Sequence, residues 1–373
     1  MRYALIMAGG SGTRLWPMSR AALPKQVIPF INGRSLIQIA SERLEGLVPA
    51  SQQYICAGLK HRDPIVAALK SFDGDRYLGE PMGRDTVNAV GFGAAVIGAQ
   101  DPEAVIAVFT ADHIIEPVNQ FQKIIEYGYM IAESQPNTLV TFGVKPTHAA
   151  TGFGYLQLGS QINADEILSN DGPKAYIVEQ FREKPDRSTA EQYYTAGEHQ
   201  FLWNSGMFVW RAQTLLDCIS RYEPSTYELL MQIAGAWPTS NRHAVVQQVY
   251  PKLKKISVDY AVMEPASRDE AVQVAAVPMP LNWLDVGSWP AYGATCEKDE
   301  HGNAIAAAKP LVLDSTNTLL ASSDDNHLIA AIGCEDLIVV HTPDATLVSR
   351  ADRAEDIKKL HDWIEARFGS QWL

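Results

Sequence analysis

Short apolar runs alternate with helix-like patterns through roughly the first 145 residues of the chain. Tyr3–Met7, Ala104–Thr110 and Thr138–Val144 are nearly continuous apolar runs of strand length, which is typical of parallel strands that are buried on both faces. Between the last two runs, Phe121–Glu133 has the spacing of an amphipathic helix. This alternation predicts an α/β fold with a doubly wound, mostly parallel sheet.

Local signals predict where two of the helices begin. Ser35 and Gln38 have the spacing of a capping box, in which the two side chains satisfy free backbone N–H groups of the first turn. The apolar positions after Ser35 lie on one helical face and are Leu36, Ile37, Ala40, Leu44 and Leu47. A second helix is expected to begin near Asp85.

The pattern changes after about residue 298. The apolar runs there are short, as in Leu328–Ile332 and Leu337–His341, and Asp, Ser, Asn and Gly separate them. A final helix is expected near Arg353–Phe368. We therefore predict a main domain of residues 1–297 and a small β-rich C-terminal domain of residues 298–373 that this helix closes.

Charge and cysteine content exclude several classes of protein. The chain has 31 basic and 43 acidic residues, and its net charge of −12 would repel a nucleic-acid backbone. The four cysteines form no C-x-x-C pair, which excludes a zinc knuckle or a thioredoxin-like motif and suits reduced thiols. The N-terminal apolar run is too short for a signal peptide, and no apolar stretch is long enough to span a membrane. We expect a cytoplasmic protein without nucleic-acid or membrane partners.

The first chemical signal is a glycine-rich turn directly after the first strand. Its residues are Gly9, Gly10, Ser11, Gly12 and Thr13. Glycines let a backbone turn tightly and bring its N–H groups close to a phosphate, and Arg14 and Lys25 could add positive charge. Arg14 stands where a Walker A loop needs glycine, and Leu15 stands where a dinucleotide-binding turn needs its third glycine. The alternative interpretation is a glycine turn flanked by two surface cations.

Two aspartates are candidates for a metal site. Asp112 follows the apolar run Ala104–Thr110, and ligands of open α/β sheets bind beyond the carboxyl ends of the strands. One or two carboxylates together with phosphate oxygens suit Mg²⁺, so Asp112 is well placed to hold that ion. Asp285 is the second candidate. Taken alone, Asp112 could equally be an aspartate of a helix cap or a turn, and Asp285 would be assigned to the start of a helix.

The long N-terminal motif resembles the signature of the sugar-1-phosphate nucleotidyltransferases. It reads G-G-S-G-T-R-L-W-P-M-S-R and is followed by P-K-Q, and its W-P-M-S-R part is most similar to the mannose-1-phosphate guanylyltransferases among them. The resemblance implies that the glycine turn wraps the nucleotide phosphates and that Arg14 and Lys25 stabilise them. It also implies that Asp112, in A-D-H, and Asp285, in D-V-G-S-W, bind the metal.

Four further segments are similar to motifs of the same family. Glu183 and Lys184 lie in F-R-E-K-P, Asn204 lies in W-N-S-G-M-F, Gly152 lies in T-G-F-G-Y, and Asp259 lies in S-V-D-Y-A-V-M-E. The resemblance implies that Glu183 and Asn204 contact sugar hydroxyls, that Lys184 contacts the sugar phosphate, and that Asp259 reaches the sugar. Without the resemblance, a charged turn such as E-K-P is usually only solvated.

The segment E-P-M-G-R-D, which contains Glu80, Gly83, Arg84 and Asp85, resembles the E-P-x-x-R-N-T segment of the guanylyltransferases. A carboxylate at Glu80 can accept hydrogen bonds from the ring N–H and the amino group of guanine, whereas adenine would leave these groups mismatched. The chain departs from the pattern at Asp85, where the family has Asn.

Together the motifs, which span roughly residues 3–290, imply a Mg²⁺-dependent enzyme that combines GTP with mannose 1-phosphate. Two alternatives stay open: a nucleotidyltransferase for another sugar 1-phosphate or nucleoside triphosphate, and a sugar-nucleotide sensor without catalytic activity. The short β-like runs near the C-terminus need a partner surface. We expect them to pack on the main domain and to help form a homodimer, which the resemblance also suggests.

Overall fold

The computed structural model describes residues 1–10, 12–70, 72–162 and 173–373. The main domain is built on a nine-stranded sheet, and β5 and β11 form a separate two-stranded ribbon. In chain order these strands are β1 (Arg2–Met7), β2 (Gln53–Gly58), β3 (Tyr77–Glu80), β4 (Val105–Thr110), β5 (His113–Glu116), β6 (Thr138–Val144), β7 (Tyr155–Gln161), β8 (Tyr176–Arg182), β9 (Phe201–Arg211), β10 (Gln273–Pro278) and β11 (Asn282–Asp285).

Most of the helices pack on the two faces of this sheet, and the last two lie in an apolar cluster with residues near the C-terminus. Within the described residues they are α1 (Leu36–Glu42), α2 (Arg62–Ala68), α3 (Thr86–Gln100), α4 (Val118–Ser134), α5 (Arg187–Ala196), α6 (Ala212–Tyr222), α7 (Pro224–Ala236), α8 (Arg242–Val249), α9 (Glu264–Ala266), α10 (Trp289–Gly293) and, near the C-terminus, α11 (Ile357–Phe368). None of the helices described is both long enough and apolar enough to cross a bilayer.

The sheet order is β3-β2-β1-β4-β9-β6-β10-β8-β7. The first four strands are parallel, with Ile6 of β1 opposite Ile55 of β2 and Phe109 of β4. β9 runs antiparallel between β4 and β6, so the sheet is mixed. The predicted α/β architecture is confirmed, and the carboxyl ends of β1, β2, β3 and β4 lie along one edge.

Alternation along the central strands divides the core between the two faces of the sheet. Tyr3 and Leu5 of β1 pack on one side with α3 and α6, and Ala4 and Ile6 pack on the other with α4. Every residue of β6 is buried. This double burial explains why the central strands are continuous apolar runs in the sequence.

Both predicted helix starts occur in the structure. The Ser35 side chain accepts a hydrogen bond from the Gln38 N–H, and the Gln38 side chain accepts one from the Ser35 N–H. The Asp85 side chain accepts from the N–H of Thr86 at the start of α3. The helix after Ser35 ends at Glu42, so the expected positions Leu44 and Leu47 lie beyond it and contribute to the core from the following turns.

Two other expected elements have different lengths. The pattern predicts a short strand at Met207–Arg211, but β9 begins at Phe201 because Trp203 and Asn204 also pair with β6. It also predicts a helix over Ser288–Glu297, but α10 covers only Trp289–Gly293.

The C-terminal region is a stack of short strands. They are β12 (Ala304–Ala306), β13 (Lys309–Leu313), β14 (Leu319–Ser322), β15 (Leu328–Ile332), β16 (Leu337–Thr342) and β17 (Ala345–Arg350). β12, β14 and β16 pair in parallel, β13 pairs in parallel with β15, and β17 returns antiparallel along β16. The small β-rich region predicted from the sequence is therefore present, and α11 follows it as expected.

This region packs on the main domain through a shared apolar core. Leu15 and Trp16, just after the glycine turn, lie in the same buried cluster as Ile338, Val340 and Leu347. The Trp16 indole also donates to the backbone carbonyl of Trp372 at 2.8 Å. The C-terminal strands therefore support the segment that carries the signature motif.

Candidate active site

The glycine turn leaves β1 at the carboxyl edge of the sheet. Gly10 and Gly12 have φ angles of 102° and 63°, a region that side chains disfavour. A Cβ atom at Gly12 would also lie 2.3 Å from the hydroxyl of Ser19. Glycine is therefore required here for backbone conformation as well as for space. Gly9 and Thr13 complete the turn, and Ser11 lies outside the described residues.

Lys25 and Asp112 form an ion pair beside this turn. The Lys25 Nζ donates to Asp112 Oδ2 at 2.7 Å and to the Val286 carbonyl at 3.4 Å. Asp112 follows β4, and β4 pairs with β1 as far as Met7 and Thr110. The neighbouring ends of β1 and β4 thus place the glycine turn beside Asp112, and Lys25 contacts that aspartate.

The ribbon of β5 and β11 brings Asp285 to the same place. Asp285 stands opposite His113 in its antiparallel pairing, and the Val286 N–H donates to the Asp112 carbonyl at 2.9 Å. Asp112, His113 and Asp285 each offer a ligand atom within 4.8 Å of the others. The two carboxylates among them could hold a metal ion. No sequence pattern predicts the ribbon, since each of its strands has only four residues.

The pKa values of the two carboxyl groups shift in opposite directions because their surroundings differ. Burial by itself would raise the pKa of Asp112, but the charge and hydrogen bond of Lys25 lower it to about 2. Burial and then the charge of Asp112 raise the pKa of Asp285 to about 6. Asp285 Oδ1 is buried and finds no hydrogen-bond partner among the described residues. An unpaired carboxylate oxygen beside a second carboxylate fits a hard divalent cation such as Mg²⁺.

His113 has a structural part in this centre. The Trp283 indole can only donate, and it donates to His113 Nδ1 at 3.2 Å, so Nδ1 is an acceptor and Nε2 carries the hydrogen of the neutral ring. Burial lowers the pKa of His113 to about 4, although Asp112 opposes the shift. His113 Nε2 lies 3.9 Å from Asp112 Oδ1. The neutral ring therefore faces the aspartate and supports its position.

Arg14 contacts an acidic residue from the C-terminal region. Its Nη1 donates to both carboxylate oxygens of Glu355, at 2.8 and 3.0 Å. A side chain at Gly287 would meet the Arg14 guanidinium at 3.0 Å and the Asp285 carboxylate at 3.2 Å, so Arg14 and Asp285 border the same space. No local sequence motif marks Glu355, so its contact with Arg14 is visible only in the structure.

A second group of candidate residues is connected by hydrogen bonds. Thr141 donates to Asn204 Oδ1 at 2.8 Å, and Asn204 Nδ2 donates to Asp259 Oδ1 at 2.9 Å. Glu183 forms an ion pair with Lys184 at 3.2 Å. Burial and then the charge of Glu183 raise the pKa of Asp259 to about 7. These side chains form a polar, partly buried surface that offers donors and acceptors suited to hydroxyl groups.

Glycine at position 154 makes room for this group. A Cβ atom there would lie 2.6 Å from Glu183 Oε2 and 3.4 Å from the Asn204 side chain. Gly154 is the second glycine of T-G-F-G-Y, whereas the first, Gly152, faces open space. Gly152 instead lines a cleft of about 1500 Å³ together with Arg14, Asp285 and Glu355.

The third group lies at the end of β3. Glu80 is buried and accepts a hydrogen bond from the Tyr250 hydroxyl at 2.5 Å. A Cβ atom at Gly9 would lie 3.8 Å from Glu80 Oε2, so this carboxylate borders the glycine turn. Burial raises the pKa of Glu80, and the hydrogen bond from Tyr250 opposes the shift.

The other residues of the Glu80 segment are arranged around its turn. Arg84 donates to the carbonyl of Pro251, and Gly83 has open space where a side chain would be. Asp85 has a φ of 70° and a ψ of 175°, a backbone conformation that is essentially confined to glycine, so the backbone is strained at this residue.

Two family models and several known proteins are similar to this chain. A family model described as nucleotidyl transferase matches residues 3–302, and one described as MannoseP isomerase/GMP-like beta-helix domain matches residues 309–362. The chain is 34% identical to a mannose-1-phosphate guanylyltransferase of Klebsiella pneumoniae over 375 residues, which cover 100% of this chain and 76% of that protein. It is 35% identical to one of Salmonella montevideo over 365 residues, which cover 97% of this chain and 73% of that protein.

A solved structure is similar over almost the whole chain. It is described as a mannose-1-phosphate geranyltransferase from Thermus thermophilus and is 30% identical in sequence, with a TM-score of 0.82. The match covers 98% of this chain and 99% of the other. Both the sheet domain and the C-terminal strand stack thus have a counterpart in one known structure.

Proposed function

Because the chain belongs to the nucleotidyl transferase family and is a nucleotidyltransferase, we propose that it transfers the guanylyl group of GTP to mannose 1-phosphate. The products would be GDP-mannose and diphosphate. The observation that carries the proposal is the group of Lys25, Asp112 and Asp285 beside the glycine turn. It combines a phosphate-binding backbone, a buried cation and two carboxylates suited to a metal.

The reaction is a displacement at phosphorus. A phosphate oxygen of mannose 1-phosphate forms a bond to the α-phosphorus of GTP, and the bond from that phosphorus to its bridging oxygen breaks. The electron pair leaves with diphosphate. Since the sugar phosphate is already ionised at neutral pH, the site needs no strong general base, and catalysis consists of alignment and charge neutralisation.

The residues beside the glycine turn would bind the triphosphate. The turn would offer its N–H groups, and Arg14 and Lys25 would neutralise negative charge. Asp112 and Asp285 would hold Mg²⁺, which when bound would add positive charge next to the phosphates. Arg14 would leave Glu355 for the phosphates, since that ion pair is largely exposed and held weakly.

The second group of residues would bind the sugar phosphate. Lys184 lies beside Glu183, so Lys184 can contact the phosphate of the sugar phosphate while Glu183 contacts a sugar hydroxyl. Asn204 is held between Thr141 and Asp259, which orients its amide and leaves Asp259 close to the sugar. Asn204 lies on β9, and β9 pairs with β4, the strand that Asp112 follows.

The Glu80 segment would bind the base. Glu80 borders Gly9, so a base bound beside Glu80 would lie next to phosphates bound at the glycine turn. Its carboxylate would accept from the N–H groups of guanine, and Gly83, Arg84 and Asp85 would shape the surrounding loop.

One assay tests the proposal against its alternatives. The protein is mixed with Mg²⁺ and a panel of nucleoside triphosphates and sugar 1-phosphates, and diphosphate release is measured. We expect the highest kcat/KM for GTP with mannose 1-phosphate. A preference for another pair would favour a different nucleotidyltransferase, and no turnover with any pair would favour a sensor.

Replacement of Glu80 tests base recognition within the same assay. Glu80→Gln should lower the ratio of kcat/KM for GTP to that for ATP about tenfold, because a charged hydrogen-bond acceptor is lost. Glu179→Gln is a matched control, since Glu179 lies on β8 and contacts Gln157 instead. An unchanged ratio in Glu80→Gln would assign base recognition to other residues.

We also propose that the chain forms a homodimer in the cytoplasm. Leu311, Leu313, Leu328 and Ile332 of the paired strands β13 and β15 are 55–70% exposed. A row of exposed apolar side chains of this kind marks an interaction surface, and a second copy could bury the same row against itself. All four cysteines are free, which fits a reducing compartment.

A further inference from the structure

Tyr250 contacts Glu80 from a position far away in the sequence. Its hydroxyl donates to Glu80 Oε1 at 2.5 Å across 170 residues of chain. Tyr250 is completely buried, and its ring packs against that of Phe92 in α3 with 5.8 Å between centroids. Burial and then the charge of Glu80 raise the pKa of Tyr250 well above its usual value, so the hydroxyl stays protonated and is the donor.

The turn that carries Tyr250 also holds the other end of the Glu80 segment. The guanidinium of Arg84 donates to the carbonyl of Pro251, the next residue after Tyr250. The Asn88 side chain donates to the carbonyls of both Arg84 and Lys254. Residues 250–254 therefore contact the segment at Glu80 and at Arg84, the two ends of its turn.

The hydrogen bond restricts the orientation of the Glu80 carboxylate. Oε1 accepts from Tyr250, and Oε2 is the oxygen that borders Gly9 and the space beside the glycine turn. Because an oxygen has two lone pairs, Oε1 can still accept a second hydrogen bond from a ligand. Both oxygens of a carboxylate held in this way can accept from a base.

We propose that Tyr250 is a positioning residue for base specificity, which holds Glu80 as an oriented carboxylate so that it accepts from the two N–H donors of guanine. The inference rests on the proposed function, because it assumes that Glu80 contacts the base. No sequence motif contains Tyr250.

The protonation state of Glu80 explains why its partner matters. A carboxylate offers only acceptors and matches guanine, whereas a protonated carboxyl group offers one donor and one acceptor and matches adenine. Burial favours the protonated form, and the Tyr250 hydroxyl favours the ionised form. The other titratable groups that face this pair are Cys56 on β2, Tyr77 on β3, and Arg84 and Asp85 after β3.

The test is Tyr250→Phe, assayed by diphosphate release with GTP and with ATP between pH 6 and pH 9. Removing the hydroxyl raises the pKa of Glu80 further, so its ionised form is lost at a higher pH. We expect the GTP:ATP ratio of kcat/KM to fall about tenfold at neutral pH. We also expect the pH below which GTP preference disappears to move upward.

Tyr77→Phe is the matched control. Tyr77 lies three positions before Glu80 on the same strand and is also buried, but its hydroxyl donates to the Gly58 carbonyl. Its removal should leave the GTP:ATP ratio and its pH profile unchanged. In a Glu80→Gln background, Tyr250→Phe should also leave the ratio unchanged, because Tyr250 acts through the Glu80 carboxylate.

Several outcomes would overturn the inference. A folded Tyr250→Phe protein with the native ratio and native pH profile would do so, and so would equal losses for GTP and ATP, which indicate a purely structural role. If Tyr250→Phe does not fold, 3-fluorotyrosine at position 250 provides the test, since its stronger donor should move the pH limit of GTP preference downward. An unchanged limit would then reject the inference.

The same assay separates this inference from the proposed function. A native enzyme that prefers another nucleotide overturns both together. A native enzyme that prefers GTP, with an unchanged preference in Tyr250→Phe, overturns the role of Tyr250 and leaves the proposed reaction intact.

Discussion

At the scale of single residues, the candidate metal-binding pair Asp112 and Asp285 lies beside one buried cation. Lys25 forms an ion pair with Asp112, and its charge lowers the pKa of that carboxyl group while Asp285 remains unpaired at Oδ1 among the described residues. Two carboxylates this close repel each other when both are ionised, so a divalent cation is a favourable partner for them.

Removal of one carboxylate tests this arrangement. Asp112→Asn should raise the Mg²⁺ concentration needed for turnover and lower kcat by about 100-fold or more, because a ligand and the partner of Lys25 are lost together. Chelation of divalent metal with EDTA should abolish diphosphate release by the native enzyme. Asp269→Asn, whose partners are Arg221 and Tyr222 on α6, is a control that should retain turnover. Full activity of Asp112→Asn at low Mg²⁺ would contradict the assignment.

At the scale of elements, local sequence signals determine where a helix begins, whereas long-range strand pairing determines which distant residues meet. The capping box of α1 joins residues only three positions apart, so its pattern is visible in the sequence. The ribbon of β5 and β11 joins residues about 170 positions apart, and neither strand has a length or pattern that predicts its partner. Yet that ribbon is what brings Asp285 beside Asp112.

Loss of the cap should weaken α1 measurably. Ser35→Ala leaves a backbone N–H of the first turn without its side-chain acceptor, which should lower the free energy of unfolding by about 1 kcal/mol. The measurement is the midpoint of urea unfolding at constant slope. Ser188→Ala, near the exposed start of α5 where Asp186 supplies the cap, should change the midpoint much less. Equal shifts in both variants would argue against the capping role.

At the scale of the whole molecule, the C-terminal region packs on the segment that carries the signature motif and presents an apolar surface. Its core is shared with Leu15 and Trp16, and Glu355 contacts Arg14. The outer face of β13 and β15 is exposed within this chain, with Ile332 at 70% exposure. The shared core stabilises the signature segment, and the exposed apolar face is the surface through which we propose that two copies pair.

Light scattering tests the proposed assembly. The native protein at micromolar concentration should have about twice the mass of the 41.0 kDa chain. Ile332→Glu introduces a charge into the apolar row and should shift the mass toward that of a single chain while turnover persists. Val348 is also exposed but lies on β17, in the sheet formed by β12, β14, β16 and β17, so Val348→Glu should leave the mass unchanged. A native mass near 41.0 kDa would mean that the C-terminal region only covers its own chain's core.

The amino-acid sequence by itself determined the features that depend on neighbouring positions. Apolar runs of strand length predicted the buried central strands, the glycines predicted a tight turn after the first strand, and Asp112 was expected at a strand end. Each of these features follows from residues within one element or one turn, where spacing and side-chain type decide the conformation. The resemblance to a known family added the residues around Glu80 and Glu183, which composition alone would have left as charged turns.

The tertiary structure decided what those residues contact. Asp285 reaches Asp112 through the β5–β11 ribbon, Glu355 reaches Arg14 from the C-terminal region, and Tyr250 reaches Glu80 across 170 residues. No local pattern specifies such pairs, because they depend on how strands and domains pack against one another. The physical reason is that burial and charge act through distance in space. The raised pKa of Asp285 and the fixed orientation of Glu80 therefore arise only once the chain has folded.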